Sequence, residues 1–221
     1  MKKQFAIIGL GRFGGSVTKE LVGQGVDVLA IDSDRTKADE FRDIATQVVI
    51  ANATDEQVLR ELDIPLYEHV VVAIGNDIEA SILATLLLSE MGVKHICVKA
   101  ETDHHEKVLK KIGAHRVLHP EREMGARLAH HLLSDNIVDY IELSSQDTII
   151  EAVATPSLIG RTIQDLNIRA LYGCTIIAIR RQGKLMAAPQ ANEVIQVEDV
   201  LVLLGPKKAI YAFEKDFIVA K

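Results

Sequence analysis

Three glycines near the start of the chain, Gly9, Gly11 and Gly14, have the spacing of a phosphate-binding loop. An apolar run of strand length precedes them, and a helical pattern follows. In such a loop the first glycine permits a tight turn, the second lets the backbone approach a phosphate, and the third lets helix and strand pack closely. The positive end of the helix favours an anion. We therefore expect a nucleotide phosphate at this loop.

Two charged side chains narrow the choice of nucleotide. Asp32 lies at the end of the second predicted strand, where a carboxylate can accept hydrogen bonds from both ribose hydroxyls. The same carboxylate would repel a 2′-phosphate, which disfavours NADP and leaves NAD, AMP, ADP and ATP open. Arg12 is either a surface arginine or a guanidinium placed at the phosphates. In the second case it favours ADP or ATP, because their phosphate tails carry more negative charge than NAD.

Polar and small residues also follow the other predicted strands, and parallel strands meet at one edge with their carboxyl ends. Asn52 is placed to meet the adenine edge, while Gly75 and Asn76 allow close approach to ribose or phosphate. Lys99 pairs either with phosphate or with a carboxylate of the protein. Glu121 either holds a divalent cation near the phosphates or stabilises the start of the helix it belongs to.

Strand and helix patterns alternate along the segment 1–135, which contains most of these residues. This alternation predicts an α/β fold, a Rossmann-like doubly wound parallel sheet with helices on both faces. The six predicted strands are 5–8, 26–31, 47–50, 70–74, 95–99 and 116–119. The predicted helices are 14–23, 34–44, 54–62, 78–91, 103–112 and 120–133.

The pattern changes after about residue 136, which predicts two domains, 1–135 and 136–221. The second is a small α+β lobe containing a β-hairpin and a closing helix. Its predicted strands are 139–144, 149–154, 175–181, 185–187, 194–197 and 200–205. Its predicted helical segments are 163–166 and 207–217.

The composition restricts the class of protein. Hydrophobic residues make up 48% but aromatic residues only 4%, which predicts an aliphatic core of the kind found around parallel strands. The net charge of -6 argues against a nonspecific nucleic-acid binder. Cys97 and Cys174 form no paired motif and indicate reduced core residues. With no secretory leader or apolar stretch of spanning length, we expect a cytoplasmic protein.

Residues suited to catalysis are sparse. No histidine follows His131 in the chain, and none of the eight has the spacing of a zinc enzyme. The predicted second domain therefore contains no histidine, although a dehydrogenase needs an acid or base over its substrate. The sequence favours binding without catalysis. The alternative, a small NAD-dependent oxidoreductase, would have only Lys99 or His105 to offer as its reactive group.

Several segments together resemble the cytosolic RCK (or KTN) regulatory subunits of Ktr-type bacterial potassium uptake systems, over essentially the whole chain. These segments are residues 6–15 (AIIGLGRFGG), 52–55 (NATD), 71–75 (VVAIG), 98–100 (VKA), 111–114 (KIGA) and 119–121 (HPE).

The resemblance implies a regulator rather than an enzyme. Such subunits form dimers that assemble into an octameric ring, which docks beneath an integral-membrane potassium-translocating subunit and so becomes peripheral to the inner face of the membrane. ATP and ADP bind the Rossmann lobe and bias transport without hydrolysis, with NAD(H) a weaker ligand. The nucleotide contacts that the resemblance implies are Gly9, Gly11, Arg12, Phe13, Gly14, Asp32, Ser33, Asp34, Asn52, Ala53, Ile74, Gly75, Asn76, Lys99, Ala100, Glu101 and His105.

Further ligands are implied by the same resemblance. Arg12 would reach the γ-phosphate across a dimer interface, and Glu121 would bind Mg²⁺ or Ca²⁺. The second lobe would bind cyclic di-AMP, with Arg169 holding a phosphate. Asn167 and Thr175 differ from the Asp and Asn that are usual at these positions of the cyclic di-AMP site.

Overall fold

The computed structural model describes residues 4–133, 136–144 and 146–218. Its contacts separate the chain into two compact units, Met1–Pro120 and Glu121–Lys221. The helix over 120–133, which the sequence analysis assigned to the first domain, falls almost entirely in the second unit. The domain boundary after residue 135 stays a prediction. No helix within the described ranges is long and apolar enough to span a bilayer.

The first unit contains six parallel strands in the order β3-β2-β1-β4-β5-β6. This order confirms the Rossmann-like fold class. The strands are β1 (Phe5–Ile8), β2 (Val28–Asp32), β3 (Gln47–Ile50), β4 (His69–Val72), β5 (His95–Lys99) and β6 (Arg116–Leu118). The helices along this part of the chain are α1 (Arg12–Gly23), α2 (Arg35–Asp39), α3 (Glu56–Glu61), α4 (Ile78–Glu90), α5 (Asp103–Lys111) and α6 (Pro120–Leu133).

The central strand β1 is buried on both faces. Ile8 is in register with Ile31 of β2 and with Val72 of β4. Ile8 packs in one apolar cluster and Ile7 in another, because successive side chains of a strand point to opposite faces. Each isoleucine buried in this way contributes about 1.5–3 kcal/mol. The continuous apolar run of β1 is therefore what a doubly covered parallel strand requires.

The predicted helix 34–44 and the predicted strand 70–74 are longer than the observed elements. The predicted helix 34–44 is helical only over Arg35–Asp39, because the chain then turns to bury Phe41 beneath Gly15. The predicted strand 70–74 ends at Val72. Ala73 leaves the strand but still donates a 2.7 Å hydrogen bond to the carbonyl of Ile8, which keeps this segment beside the glycine loop.

The second unit contains an antiparallel five-stranded sheet in the order β10-β9-β11-β8-β7. It confirms the predicted small α+β lobe. The strands are β7 (Ile137–Glu142), β8 (Asp147–Val153), β9 (Thr175–Arg181), β10 (Lys184–Ala187) and β11 (Val200–Pro206). The remaining helices are α7 (Ile163–Leu166), α8 (Ile168–Tyr172) and α9 (Lys207–Phe217), and α9 buries Phe213 in the core of this unit.

The predicted strand 194–197 is wrong. This segment contains only an isolated bridge between Thr162 and Val194. Its two valines, Val194 and Val197, are exposed and Ile195 is buried, so the apolar residues of this segment do not form a buried strand face. Helix α8 was missed, since a helix this short shows no clear helical period.

Candidate functional site

The carboxyl ends of the six parallel strands form one edge of the first unit. The strand order reverses between β1 and β4, which are direct neighbours. At such a reversal the connections leave in opposite directions and open a crevice, which is where ligands bind in open α/β sheets. The loops after β1 and β4 are thus the centre of the candidate site.

The glycine loop after β1 uses its three glycines differently. Gly9 has a φ of 93°, which side-chain-bearing residues rarely adopt. A methyl group at Gly14 would lie 1.9 Å from the carbonyl oxygen of Gly9, so the helix could not approach the strand. A methyl group at Gly11 would meet no atom of the described residues within 4 Å beyond its chain neighbours. Gly9 and Gly14 therefore serve the fold, and Gly11 borders open space.

Helix α1 begins at this open space. Gly11 is its N-cap residue, so no cap side chain accepts the first backbone N–H groups of the helix, and its first turn carries no acidic residue. Arg12 is exposed and Phe13 is half-buried. Uncapped N–H groups and the positive helix end suit an anion, and Arg12 adds a positive charge beside them. The geometry fits the predicted phosphate.

Asp32 is buried at the end of β2, where its carboxylate stabilises two turns. Oδ2 accepts a 2.7 Å hydrogen bond from the N–H of Leu10, and Oδ1 accepts a 2.8 Å bond from the N–H of Asp34. Each carboxylate oxygen can accept more than one hydrogen bond, so a ribose contact stays compatible with these bonds. Ser33 and Asp34 are exposed, and the Asp34 side chain caps α2. The ribose role of these residues stays a prediction.

Asn52 and Ala53 follow β3 beside this turn. The backbone N–H of Ala51 donates to the carbonyl of Asp32, which joins the ends of β2 and β3. The side-chain oxygen of Asn52 accepts from the N–H and the hydroxyl of Thr54, at 3.1 and 2.9 Å. These bonds fix the exposed amide in one orientation, while Ala53 is buried. Contact with adenine stays a prediction.

The loops after β4 and β5 bring three predicted residues together. A methyl group at Gly75 would lie 3.0 Å both from Nζ of Lys99 and from Oε1 of Glu101. Lys99 is nearly buried and lies 2.9 Å from that carboxylate oxygen. The structure thus shows the ion pair within the protein that the sequence left open for Lys99. In the chain, Ile74 and Asn76 lie on either side of Gly75, and Asn76 is exposed. Ala100 lies between Lys99 and Glu101.

His105 is a buried polar residue at the same edge. It is 3% exposed, and burial lowers its pKa, which favours the neutral imidazole. Nδ1 accepts a hydrogen bond from the N–H of Glu101, so a neutral ring carries its proton on Nε2. Within the described part of the chain Nε2 has no hydrogen-bond partner. A buried donor without a partner is costly and fits a ligand that supplies an acceptor.

A second polar pair at this edge, Glu106 and His119, was not predicted from the sequence. Nε2 of His119, just after β6, lies 2.8 Å from Oε2 of Glu106 on α5, and Lys110 pairs with the other carboxylate oxygen. Hydrogen bonds from Lys110 and His119 lower the pKa of Glu106 to about 2. Asp103, Glu106 and His119 also place ligand atoms within 4.8 Å of one another. The pair joins two different elements of the fold, so only tertiary structure reveals it.

Two predicted residues belong to the second unit. Glu121 is exposed in the first turn of α6, and a carboxylate is a ligand class that Mg²⁺ and Ca²⁺ accept. Arg169 is exposed on α8, which follows Asn167 in the left-handed conformation at φ 43°. Their roles toward a metal and a cyclic dinucleotide stay predictions.

Comparison with known proteins gives two family matches. The TrkA-N domain matches residues 5–120, and the TrkA-C domain matches residues 148–218. The Ktr system potassium uptake protein C of Bacillus subtilis is 50% identical over 221 residues, covering 100% of both chains. The Ktr system potassium uptake protein A of the same organism is 49% identical over 97% of this chain and 96% of its own length.

Solved structures share the fold. The RCK domain of GsuK aligns with a TM-score of 0.70 and 21% identity over 100% of this chain and 48% of the GsuK chain. The relatives are potassium uptake proteins, which leaves the oxidoreductase alternative without support. From its two family domains and its identity to both Bacillus proteins, we conclude that the chain belongs to the RCK regulatory subunits of Ktr potassium uptake systems.

Proposed function

We propose that this regulatory subunit binds ATP and ADP at the carboxyl edge of its six-stranded sheet and adjusts potassium uptake according to which nucleotide is bound. The observation that carries the proposal is the open space over Gly11 at the uncapped start of α1. Backbone N–H groups at a helix start bind phosphate without any contribution from catalytic side chains. The site therefore suits binding without hydrolysis.

The remaining residues of the edge complete a nucleotide site in this proposal. Asp32 accepts hydrogen bonds from the ribose, the buried Nε2–H of His105 donates to the ligand, and Arg12 contacts the outermost phosphate. Support comes from the position of these groups in the chain, since each lies at or just after the carboxyl end of a strand of the same parallel sheet. The GsuK channel has been solved bound to NAD, but its 20% identity to this chain supports the shared fold and not a shared ligand.

Regulation requires that the ligands distinguish two states of the protein, because a ligand of equal affinity for both shifts nothing. ATP and ADP share adenosine and two phosphates. In the proposal Arg12 supplies the difference, since only ATP offers it a γ-phosphate. A contact of this charged kind contributes about 1.5–3 kcal/mol, enough for a shift of 10-fold or more between states.

Assembly and further ligands belong to the same proposal. We propose that the subunit forms a homo-oligomeric ring, with the Rossmann units paired, on the cytoplasmic face of a membrane potassium-translocating subunit. Glu121 would contribute one carboxylate ligand to Mg²⁺ or Ca²⁺. Arg169 would hold a phosphate of cyclic di-AMP in the second unit.

A potassium flux assay tests this function. The membrane partner is reconstituted in vesicles, and K⁺ uptake is measured with the subunit plus ATP, ADP or neither. We expect faster uptake with ATP than with ADP, and a smaller difference with Arg12→Ala. Arg60→Ala, which removes an exposed arginine of α3, is the matched control. Equal uptake with both nucleotides would contradict the proposal.

A further inference from the structure

A row of aromatic rings lies at the amino edge of the first-unit sheet, the edge opposite the candidate nucleotide site. Phe5, His69 and His95 are register partners on β1, β4 and β5. The Phe5 and His69 rings are stacked with centroids 5.0 Å apart, and the His69 and His95 rings with centroids 4.6 Å apart. Parallel pairing thus places two imidazoles side by side on one face of adjacent strands.

A carboxylate lies beside the two imidazoles. Glu68 precedes β4, and its Oε1 lies 3.9 Å from Nε2 of His69. Its backbone carbonyl accepts a 3.1 Å hydrogen bond from the N–H of His95, which holds the two segments together. One ligand atom from each of the three residues lies within 4.8 Å of the other two. The side chains of Glu68 and His69 are 43% and 30% exposed, so an ion can reach them from solvent.

We propose that Glu68, His69 and His95 bind a divalent transition-metal ion of the Zn²⁺ class. Two imidazoles and a carboxylate are the donor set that zinc accepts, with water completing four-coordination. Bonds of about 2.0–2.2 Å place tetrahedral ligand atoms roughly 3.3 Å apart. Imidazole binds a metal ion in the plane of its ring, so the stacked rings of His69 and His95 must rotate about their side-chain bonds before both nitrogens face one ion. Both side chains are at least partly exposed, which leaves room for this rotation. Mg²⁺ and Ca²⁺ prefer oxygen ligands, which separates this site chemically from an ion held by nucleotide phosphates.

Two other histidines, His115 and His104, lie outside the proposed ligand set. His115 lies edge-on to His95 with ring centroids 6.0 Å apart, and its Nδ1 accepts a 3.1 Å hydrogen bond from the N–H of Ile96. This bond fixes the His115 ring beside the proposed ligands. His104 is exposed on α5, outside the cluster of Glu68, His69 and His95. It provides a matched control for loss of a surface imidazole.

The test uses the full chain without an affinity tag and without nucleotide. Zn²⁺ is titrated calorimetrically, and Co²⁺ absorption reports the ligand environment. We expect one Zn²⁺ per chain, an affinity at least tenfold lower for His69→Gln and for His95→Gln, and no change for His104→Gln. Millimolar Mg²⁺ should leave Zn²⁺ binding intact. Thermal melting of each metal-free variant verifies that it is folded.

Two results would overturn the site. One is a His69→Gln/His95→Gln double variant that keeps the wild-type Zn²⁺ affinity and stoichiometry. The other is a wild-type protein that shows no calorimetric Zn²⁺ binding. Neither result depends on nucleotide binding, so the metal site stands or falls separately from the proposed function.

Discussion

The backbone N–H of Leu10 donates a 2.7 Å hydrogen bond to Oδ2 of Asp32, which joins the glycine loop to the end of the neighbouring strand. The other oxygen of the same carboxylate holds the N–H of Asp34. Asp32, which the sequence predicts as a ribose contact, therefore also stabilises the backbone of the glycine loop.

Asp32→Ala should lower the free energy of unfolding as well as nucleotide affinity. The N–H of Leu10 would lose its acceptor in a buried position and the N–H of Asp34 in a partly buried one, which costs about 1–3 kcal/mol. Urea denaturation without nucleotide measures this loss. Asp39→Ala, which removes an exposed carboxylate from α2, should change stability by less than about 0.5 kcal/mol. Wild-type stability in Asp32→Ala would contradict the structural role.

Alanine at the glycines of the loop should separate folding from binding. Gly14→Ala places a methyl group 1.9 Å from the Gly9 carbonyl oxygen and should cost at least about 1–3 kcal/mol of stability. Gly11→Ala meets no atom of the described chain within 4 Å beyond its neighbours, so it should fold normally while weakening phosphate binding. Thermal melting and nucleotide titration measure the two effects. Normal nucleotide affinity in Gly11→Ala would argue against phosphate at this position.

Arg12→Ala should weaken ATP more than AMP. If the guanidinium contacts the outermost phosphate, its removal should reduce ATP affinity about 10–100-fold and leave AMP affinity nearly unchanged. Competition between each nucleotide and a fluorescent ATP analogue provides the affinities. Arg60→Ala serves as the control for loss of an exposed arginine. An equal loss for ATP and AMP would assign Arg12 to general electrostatics or loop structure.

Glu214 should make the second unit less stable as the pH rises. Its Oε1 is buried without a hydrogen-bond partner among the described residues, and burial raises its pKa to about 6. Because the pKa of the folded state lies above that of the unfolded state, the unfolded state ionises first, and stability falls as the pH rises from about 4.5 through 6. Glu214→Gln should therefore gain about 1–2 kcal/mol over the wild type at pH 8 and nearly nothing at pH 4.

Denaturant unfolding at pH 4, 6 and 8 measures this effect of Glu214. The exposed Glu90 provides a control, and Glu90→Gln should track the wild type within about 0.5 kcal/mol at every pH. A stability difference between Glu214→Gln and the wild type that does not vary with pH would show that Glu214 does not titrate in this range.

Much of the fold could be predicted because it rests on local patterns. The predicted bounds of β3, β5, α6 and α9 agree with the structure, since apolar periodicity and a proline near a helix start act over short stretches of chain. The strand predicted at 194–197 failed because this apolar segment buries only Ile195, while Val194 and Val197 are exposed. Periodicity shows which side chains resemble a strand face, but burial decides whether a strand forms.

The sequence predicted which residues belong to the candidate site, but not which side chains contact one another there. The glycine spacing identified the loop, and its geometry fits phosphate. The Lys99–Glu101 ion pair could only be named as an alternative, and the Glu106–His119 pair was missed altogether. The stacked His69 and His95 depend on strand register, which no single-sequence pattern supplies. Contacts between distant segments are the part of the site that requires the structure.

Calorimetric titration of the purified chain with ATP, ADP and NADH tests the central claim most directly. Each nucleotide is titrated with and without Mg²⁺, and Gly11→Ala is titrated as the variant with a blocked loop. We expect tight binding of ATP and ADP, weaker binding of NADH, and a loss of ATP and ADP affinity in Gly11→Ala. A clear preference for NADH, or ATP affinity unchanged in Gly11→Ala, would contradict the central claim.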